Sequence, residues 1–184
     1  VEFTIYDNFP YASVKIKNLL LLESNEFNND TLIFTECAYA EISLFDIISQ
    51  IYDIQSIIIT DAKINIKYND LATPNFLIFK KTNKSQNPLS INKITLLNTK
   101  LNITKESPFL DIKWNLKRSI ISITNQNYTF NIDAFSRKLV VGATDYINSK
   151  KIDVIAKTQI KRDTITILSS RLYLEELIFN VKGN

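Results

Sequence analysis

The chain has 184 residues and a formal net charge of +3, with no His, no Met, two Gly, one Cys and one Trp. Without His it lacks the commonest general base and the commonest metal ligand, and a small, evenly spread charge is no nucleic-acid footprint. Cys37 alone excludes an intrachain disulfide, and its apolar surroundings read as those of a small buried hydrophobe.

The apolar fraction of 45% is ordinary, but 29 residues are Ile and 20 are Asn. Stiff β-branched side chains suit the pleated surface of a sheet. Asn tolerates positive φ and can take over turns that Gly would otherwise fill. No stretch reaches the roughly eighteen apolar residues of a membrane-spanning helix. Val1, Phe3 and Ile5 already alternate with polar neighbours, which reads as a piece of a longer protein whose anchor or export signal lies upstream.

Alternation with period two marks strands with one buried face. It begins with Val14 and Ile16 between Lys15 and Lys17, and returns at Ala38, Ala40 and Ile42. Residues 44–51 break the rule: Leu44, Ile47, Ile48 and Ile51 form one face of two helical turns, with Ser43 as N-cap. Alternation resumes at Ala62, Ile64, Ile66 and Tyr68. It continues through Leu110, Ile112, Trp114 and Leu116, then Tyr128, Phe130, Ile132 and Ala134. A second short helix is predicted over 145–150, around Tyr146 and Ile147. Strands return with Ile152, Val154, Ala156 and Ile160, then Ile165, Ile167, Leu172 and Leu174.

The chain also repeats itself. Residues 54–67 run parallel to 91–104, matching Ile54 with Ile91, Ile57 with Ile94, Ile59 with Leu96, Ile64 with Leu101 and Ile66 with Ile103. Each copy reads as a strand, a polar kink at Asp61 or Asn98, and a second strand. Self-similarity of this kind points to a stacked, quasi-one-dimensional architecture. The polar stretch 82–88 between the copies reads as a loop. The basic pairs Lys80-Lys81, Lys117-Arg118 and Lys161-Arg162 read as solvated strand ends.

These residues carry a family resemblance. The segment Phe9-Pro10-Tyr11-Ala12-Ser13-Val14-Lys15-Ile16-Lys17-Asn18-Leu19 resembles the early segment of AsmA-like proteins, where a proline precedes a short strand ending in Asn. The strand leading into a short helix, 36–51, is similar to the element that follows there. The pair Ile54-Gln55-Ser56-Ile57 and Asp61-Ala62-Lys63-Ile64 resembles that family's strand pair, although the turn at 69–76 keeps Asn69 without the usual Gly. Residues 145–152 and 172–183 resemble segments of Bacteroidota-type members. The resemblance implies that residues 1–184 are one fragment of a periplasmic β-groove domain. It further implies an inner-membrane anchor outside this chain, further groove segments of the same polypeptide, and a role in phospholipid transport and outer-membrane maintenance.

The expected fold is therefore mainly β: an extended, curled antiparallel sheet of roughly ten to fourteen strands forming an apolar groove, with one or two short helices. The groove candidates are Val14, Ile16, Ala40, Ile42, Ile57, Ile59, Ile64, Ile66, Ile94, Leu96, Leu101, Ile103, Ile112, Trp114, Phe130, Ile132, Val154 and Ala156. They form an aliphatic set without charge, which suits acyl chains and equally suits a plain aliphatic core. The partner expected is phospholipid or another acyl-chain lipid, not nucleic acid, and no cofactor or metal is expected. No enzyme is expected either. Asp46, Asp53, Asp61, Glu175 and Glu176 read as solvent-facing acids, and Ser169-Ser170-Arg171 has no His to activate a hydroxyl. The alternative is a β-rich surface module binding carbohydrate or protein, which an exposed Trp114 beside Tyr128 would favour.

Overall fold

Twelve strands and one short helix account for nearly all the described residues of the computed structural model, which are 2–4, 11–24, 27–49, 53–76, 91–125, 127–147, 149–161 and 164–183. In chain order these are β1 (Glu2–Thr4), β2 (Tyr11–Leu22), β3 (Thr31–Ser43), α1 (Leu44–Ile48), β4 (Ile54–Thr60) and β5 (Lys63–Tyr68). Next come β6 (Lys93–Lys105), β7 (Leu110–Thr124), β8 (Asn127–Val141), β9 (Thr144–Ile147), β10 (Lys150–Lys161), β11 (Thr164–Leu174) and β12 (Leu177–Gly183). The strands form one sheet in the order β1-β2-β3-β4-β6-β7-β8-β10-β11-β12, with β5 continuing β4 between β3 and β6, and β9 beside β8. The protein is mainly β, and among the described residues the two ends of the sheet do not pair with each other.

One junction departs from sequential antiparallel pairing. Strands β4 and β5 both pair β6 in parallel. A parallel neighbour needs a crossover of a dozen or more residues, and the chain between Tyr68 and Lys93 supplies one. The two halves of the sequence repeat thus lie side by side: Ile57 opposite Ile94, Ile59 opposite Leu96, Ile64 opposite Leu101, Ile66 opposite Ile103. Matched amides bond across the pair at a constant separation of 37 residues. Asn102 Nδ2 donates to Asn65 Oδ1 at 2.8 Å, and Asn92 Nδ2 to Gln55 Oε1 at 3.0 Å.

Both copies kink at the same level. Asp61 (φ 52°) and Asn98 (φ 48°) adopt left-handed backbone, as does Asn18 in β2 (φ 50°). Asp61 N–H donates to Leu97 C=O, and Lys100 N–H to Ala62 C=O, so pairing closes again around the kink. At the same level β7 is bulged between Leu116 and Arg118. Each extra residue shifts the phase of alternation, so that Ala62, Ile64 and Ile66 face the same way as Ile57 and Ile59.

The kinks line up into a crease that crosses the sheet. Its register runs Thr99–Leu116–Ala134–Ile152, with Ala62 beside Thr99 and Thr35 one strand further. All six residues are buried, none more than 3% exposed. On the opposite face at the same level Asp61, Lys63, Asn98, Lys100, Lys117 and Lys151 are exposed. Small and β-branched residues occupy most of this row, and Thr35 and Thr99 satisfy their hydroxyls on nearby carbonyls of Thr60, Cys37 and Leu97.

Several expectations need correction. Residues 144–147 are strand β9, not helix: Ile147 is buried against β8, Tyr146 points to solvent, and Ser149 turns the chain with φ 57° into β10. Helix α1 has five residues. Ser43 Oγ accepts its Asp46 N–H at 3.3 Å, the N-cap read from sequence, but Ile48 is 79% exposed and packs no apolar stripe. Ile51 lies outside the described residues, as do Phe9-Pro10, Lys80-Lys81, Arg162 and the loop 82–88. Lys117 and Arg118 are exposed, but at the bulge inside β7 rather than at a strand end. Cys37 is half-buried on the polar side of β3, opposite Lys17 and Thr60.

Candidate functional site

The groove candidates fall into continuous cross-strand rows. One runs Val14–Ala40–Ile57–Ile94–Ile121–Phe130–Ala156, and its neighbour Ile16–Ala38–Ile59–Leu96–Ser119–Ile132–Val154. Ile42 lies one step from Ala40, opposite Ala12 and Ile54. Across the crease the rows are Ile33–Ile64–Leu101–Trp114–Ser136 and Ile66–Ile103–Ile112–Leu139–Ile147. The opposite face carries Lys63, Lys100 and Asn115 in one row and Asn65, Asn102, Lys113 and Lys138 in another.

All eighteen candidates are half-buried; none reaches the burial of a packed core and none is fully exposed. Full burial of large side chains occurs at the crease, with Leu116 and Ile152, and again near the ends of the strands, with Glu23, Asn75 and Ile147. Among the described residues no second layer covers the apolar rows, because every strand belongs to the one sheet. An aliphatic core squeezed between two sheets would bury these residues outright. The face combines a buried crease with half-buried apolar rows on either side of it.

Cations reach this face at its margins. Lys105 follows Ile103 in phase and pairs in register with Tyr68, and Lys150 lies opposite Ser136, with its Nζ 2.8 Å from Glu175. The sequence reading treated the inward set as uncharged and missed both. Alternation on β6 and β10 places them there once the phase shift is known. Trp114 Nε1 and the Ser136 Oγ opposite it are buried with no hydrogen-bond partner.

One rim of the sheet is clamped by a polar network. The Glu23 side chain, with no exposed surface, takes Lys67 Nζ at 3.0 Å and Asn75 Nδ2 at 2.8 Å. Asp30 takes the same ammonium at 2.9 Å. Fully buried Asn75 also donates to Asn65 C=O and accepts from Lys67 N–H. Residues 69–75 are thereby stitched to the end of β5 and to the β2–β3 connection. Burial works against the Lys67 charge, but hydrogen bonds to Asp30 and Glu23 outweigh it and hold its pKa above the ordinary 10.5.

Among the described residues the acids singled out in the sequence lie in separate places. Asp46 accepts from Gln55 at 3.0 Å beside α1, Asp61 sits at the kink, and Glu175 pairs with Lys150. Among the described residues no group of His, Cys, Asp and Glu is placed to hold a metal, and no helix is long and apolar enough to cross a membrane. Trp114 and Tyr128 do not meet. They pair with Ser136 and Ile123, at positions on β7 separated by about 30 Å of strand. No protein-family model matches the chain, and no curated protein matches it as a relative.

Proposed function

We propose that this protein is a segment of a lipid-transfer conduit, in which the creased sheet shelters acyl chains of phospholipid along its apolar rows. The observation that carries this reading is the uniform half-burial of the eighteen aliphatic and aromatic candidates on one face that no second layer covers among the described residues. Each buried methylene contributes about 0.8 kcal/mol, so a chain of about fifteen carbons gains on the order of 10 kcal/mol in such a trough. Movement along the rows is unobstructed at their centre, since a buried charge there would be costly for a chain to pass, and Lys105 and Lys150 stand at the margins. The resemblance to AsmA-like proteins agrees with this role and supplies its setting, a periplasmic protein held to the inner membrane by an anchor elsewhere in the polypeptide. Catalysis and cofactors play no part in this reading.

Among the described residues the sheet ends at β1 on one side and β12 on the other. Along its path of ten strands it spans about 45 Å, and the rows run out to Phe179 and Val181 on β12. Further strands of the same polypeptide adding to that edge would lengthen the trough without changing its section. The test is native mass spectrometry of the purified chain from bacterial cells. Co-purifying phospholipid, displaced by added detergent, is the expected result. A lipid-free protein that also takes up no lipid from vesicles would remove the proposal.

A further inference from the structure

A cavity of about 330 Å³ opens at the clamped rim, lined by Tyr68 and Lys105, which follow Ile66 and Ile103 on the apolar face, and by Lys67 and Thr104 of the opposite face. We infer that it is the headgroup subsite for an amine-bearing, zwitterionic phospholipid; the inference rests on the acyl-chain reading of the trough. Position comes first. Tyr68 and Lys105 point to the same face as Ile66 and Ile103, two residues further along their strands. A lipid whose tail lies on that row has its polar end at this cavity.

Charge narrows the class. The lining holds Lys67 and Lys105 against Glu23, Asp70 and Glu106, so carboxylates outnumber ammonium groups. Lys67 and Glu23 are committed to each other and to Asp30 and Asn75. What faces a ligand is Lys105, Asp70 and Glu106, with the rings of Phe27 and Tyr68. A plain anion would meet two carboxylates for one cation. A zwitterion satisfies both signs: its phosphate takes Lys105 in a charge-assisted bond, while its ammonium lies against the acids and the aromatic faces. The clamp holds the 69–75 segment that carries Asp70, so the site is preorganised before a lipid arrives.

The experiment is competition. The chain is equilibrated with vesicles containing equal parts phosphatidylethanolamine and phosphatidylglycerol of identical acyl composition, and bound lipid is counted by native mass spectrometry. A three- to five-fold preference of about the size of one ammonium–aromatic contact is expected for phosphatidylethanolamine. The doubly substituted Asp70→Asn, Glu106→Gln protein should lose the preference and still bind lipid. Lys105→Gln should weaken both phospholipids alike and leave their ratio unchanged. Equal binding by the unsubstituted protein, or a preference for phosphatidylglycerol, overturns the headgroup subsite while leaving the trough intact. Binding of neither lipid overturns the trough itself.

Discussion

The crease and the outer hairpin of β11 and β12 carry the same alternating pattern and meet opposite fates. At the crease Ala62, Thr99, Leu116, Ala134 and Ile152 are sealed. In β12 every described residue is exposed, Leu177, Ile178, Phe179 and Val181 included. Alternation chooses which side of a strand is apolar, but only the bend of the sheet decides whether that side is covered. An exposed edge strand with apolar side chains is an aggregation hazard unless something pairs with it. The contrast therefore separates a sealed part of the molecule from an exposed one.

The sharpest way to break this contrast is to truncate one residue in each region. Leu116→Ala or Ile152→Ala should cost about 2–4 kcal/mol in urea unfolding, because both side chains are buried and their removal leaves a cavity. Ile178→Ala should stay within about 0.5 kcal/mol, as for other surface substitutions. Equal costs would mean that β12 is as covered as the crease.

The rim clamp should give the next largest effect. Lys67→Met leaves the buried Glu23 carboxylate with Asn75 alone, a loss on the order of 2–3 kcal/mol. Asp30 is exposed and adds little. Because the Lys67 pKa is raised on folding, its contribution is complete below 10.5 and fades as pH climbs through the raised value. Alkaline titration of stability should show this fall in the unsubstituted protein and not in Lys67→Met. Identical alkaline curves would show that the ion pair is not what holds the rim.

The kink offers a smaller test. Asn98→Val places a β-branched residue at φ 48° and should cost about 1–3 kcal/mol, whereas Asn98→Gly should be close to neutral. If valine is tolerated as well as glycine, the left-handed kink is not what sets the crease.

Much of this was legible because Ile, Lys and Asn alternate so regularly. The strands, the repeat and its kinks at Asp61 and Asn98 could be read from residue spacing, and so could the N-cap at Ser43. The parallel pairing of the repeat could not, since spacing does not say which strands become neighbours across a long crossover. Residues 145–150 misled because Tyr146 and Ile147 fit a helical turn as well as a four-residue strand, and only pairing with β8 decides between them. The rim network was invisible for a related reason. Glu23, Lys67 and Asn75 are far apart in sequence and ordinary in isolation, and it is the fold that makes them neighbours. Half-burial of the apolar rows likewise depends on the absence of a second layer among the described residues, which no local pattern encodes.

The single tryptophan permits the most direct test of the trough. Trp114 lies in the row Ile64–Leu101–Trp114, on the apolar face and next to the crease residue Leu116 in phase. Phospholipid brominated on its acyl chains quenches tryptophan only on close approach of the tail. Intrinsic fluorescence of the chain, titrated with vesicles of that lipid, should fall in a saturable manner, and unbrominated lipid should displace the quencher. Saturable lipid binding with Trp114 emission unchanged would place the lipid elsewhere and contradict the account.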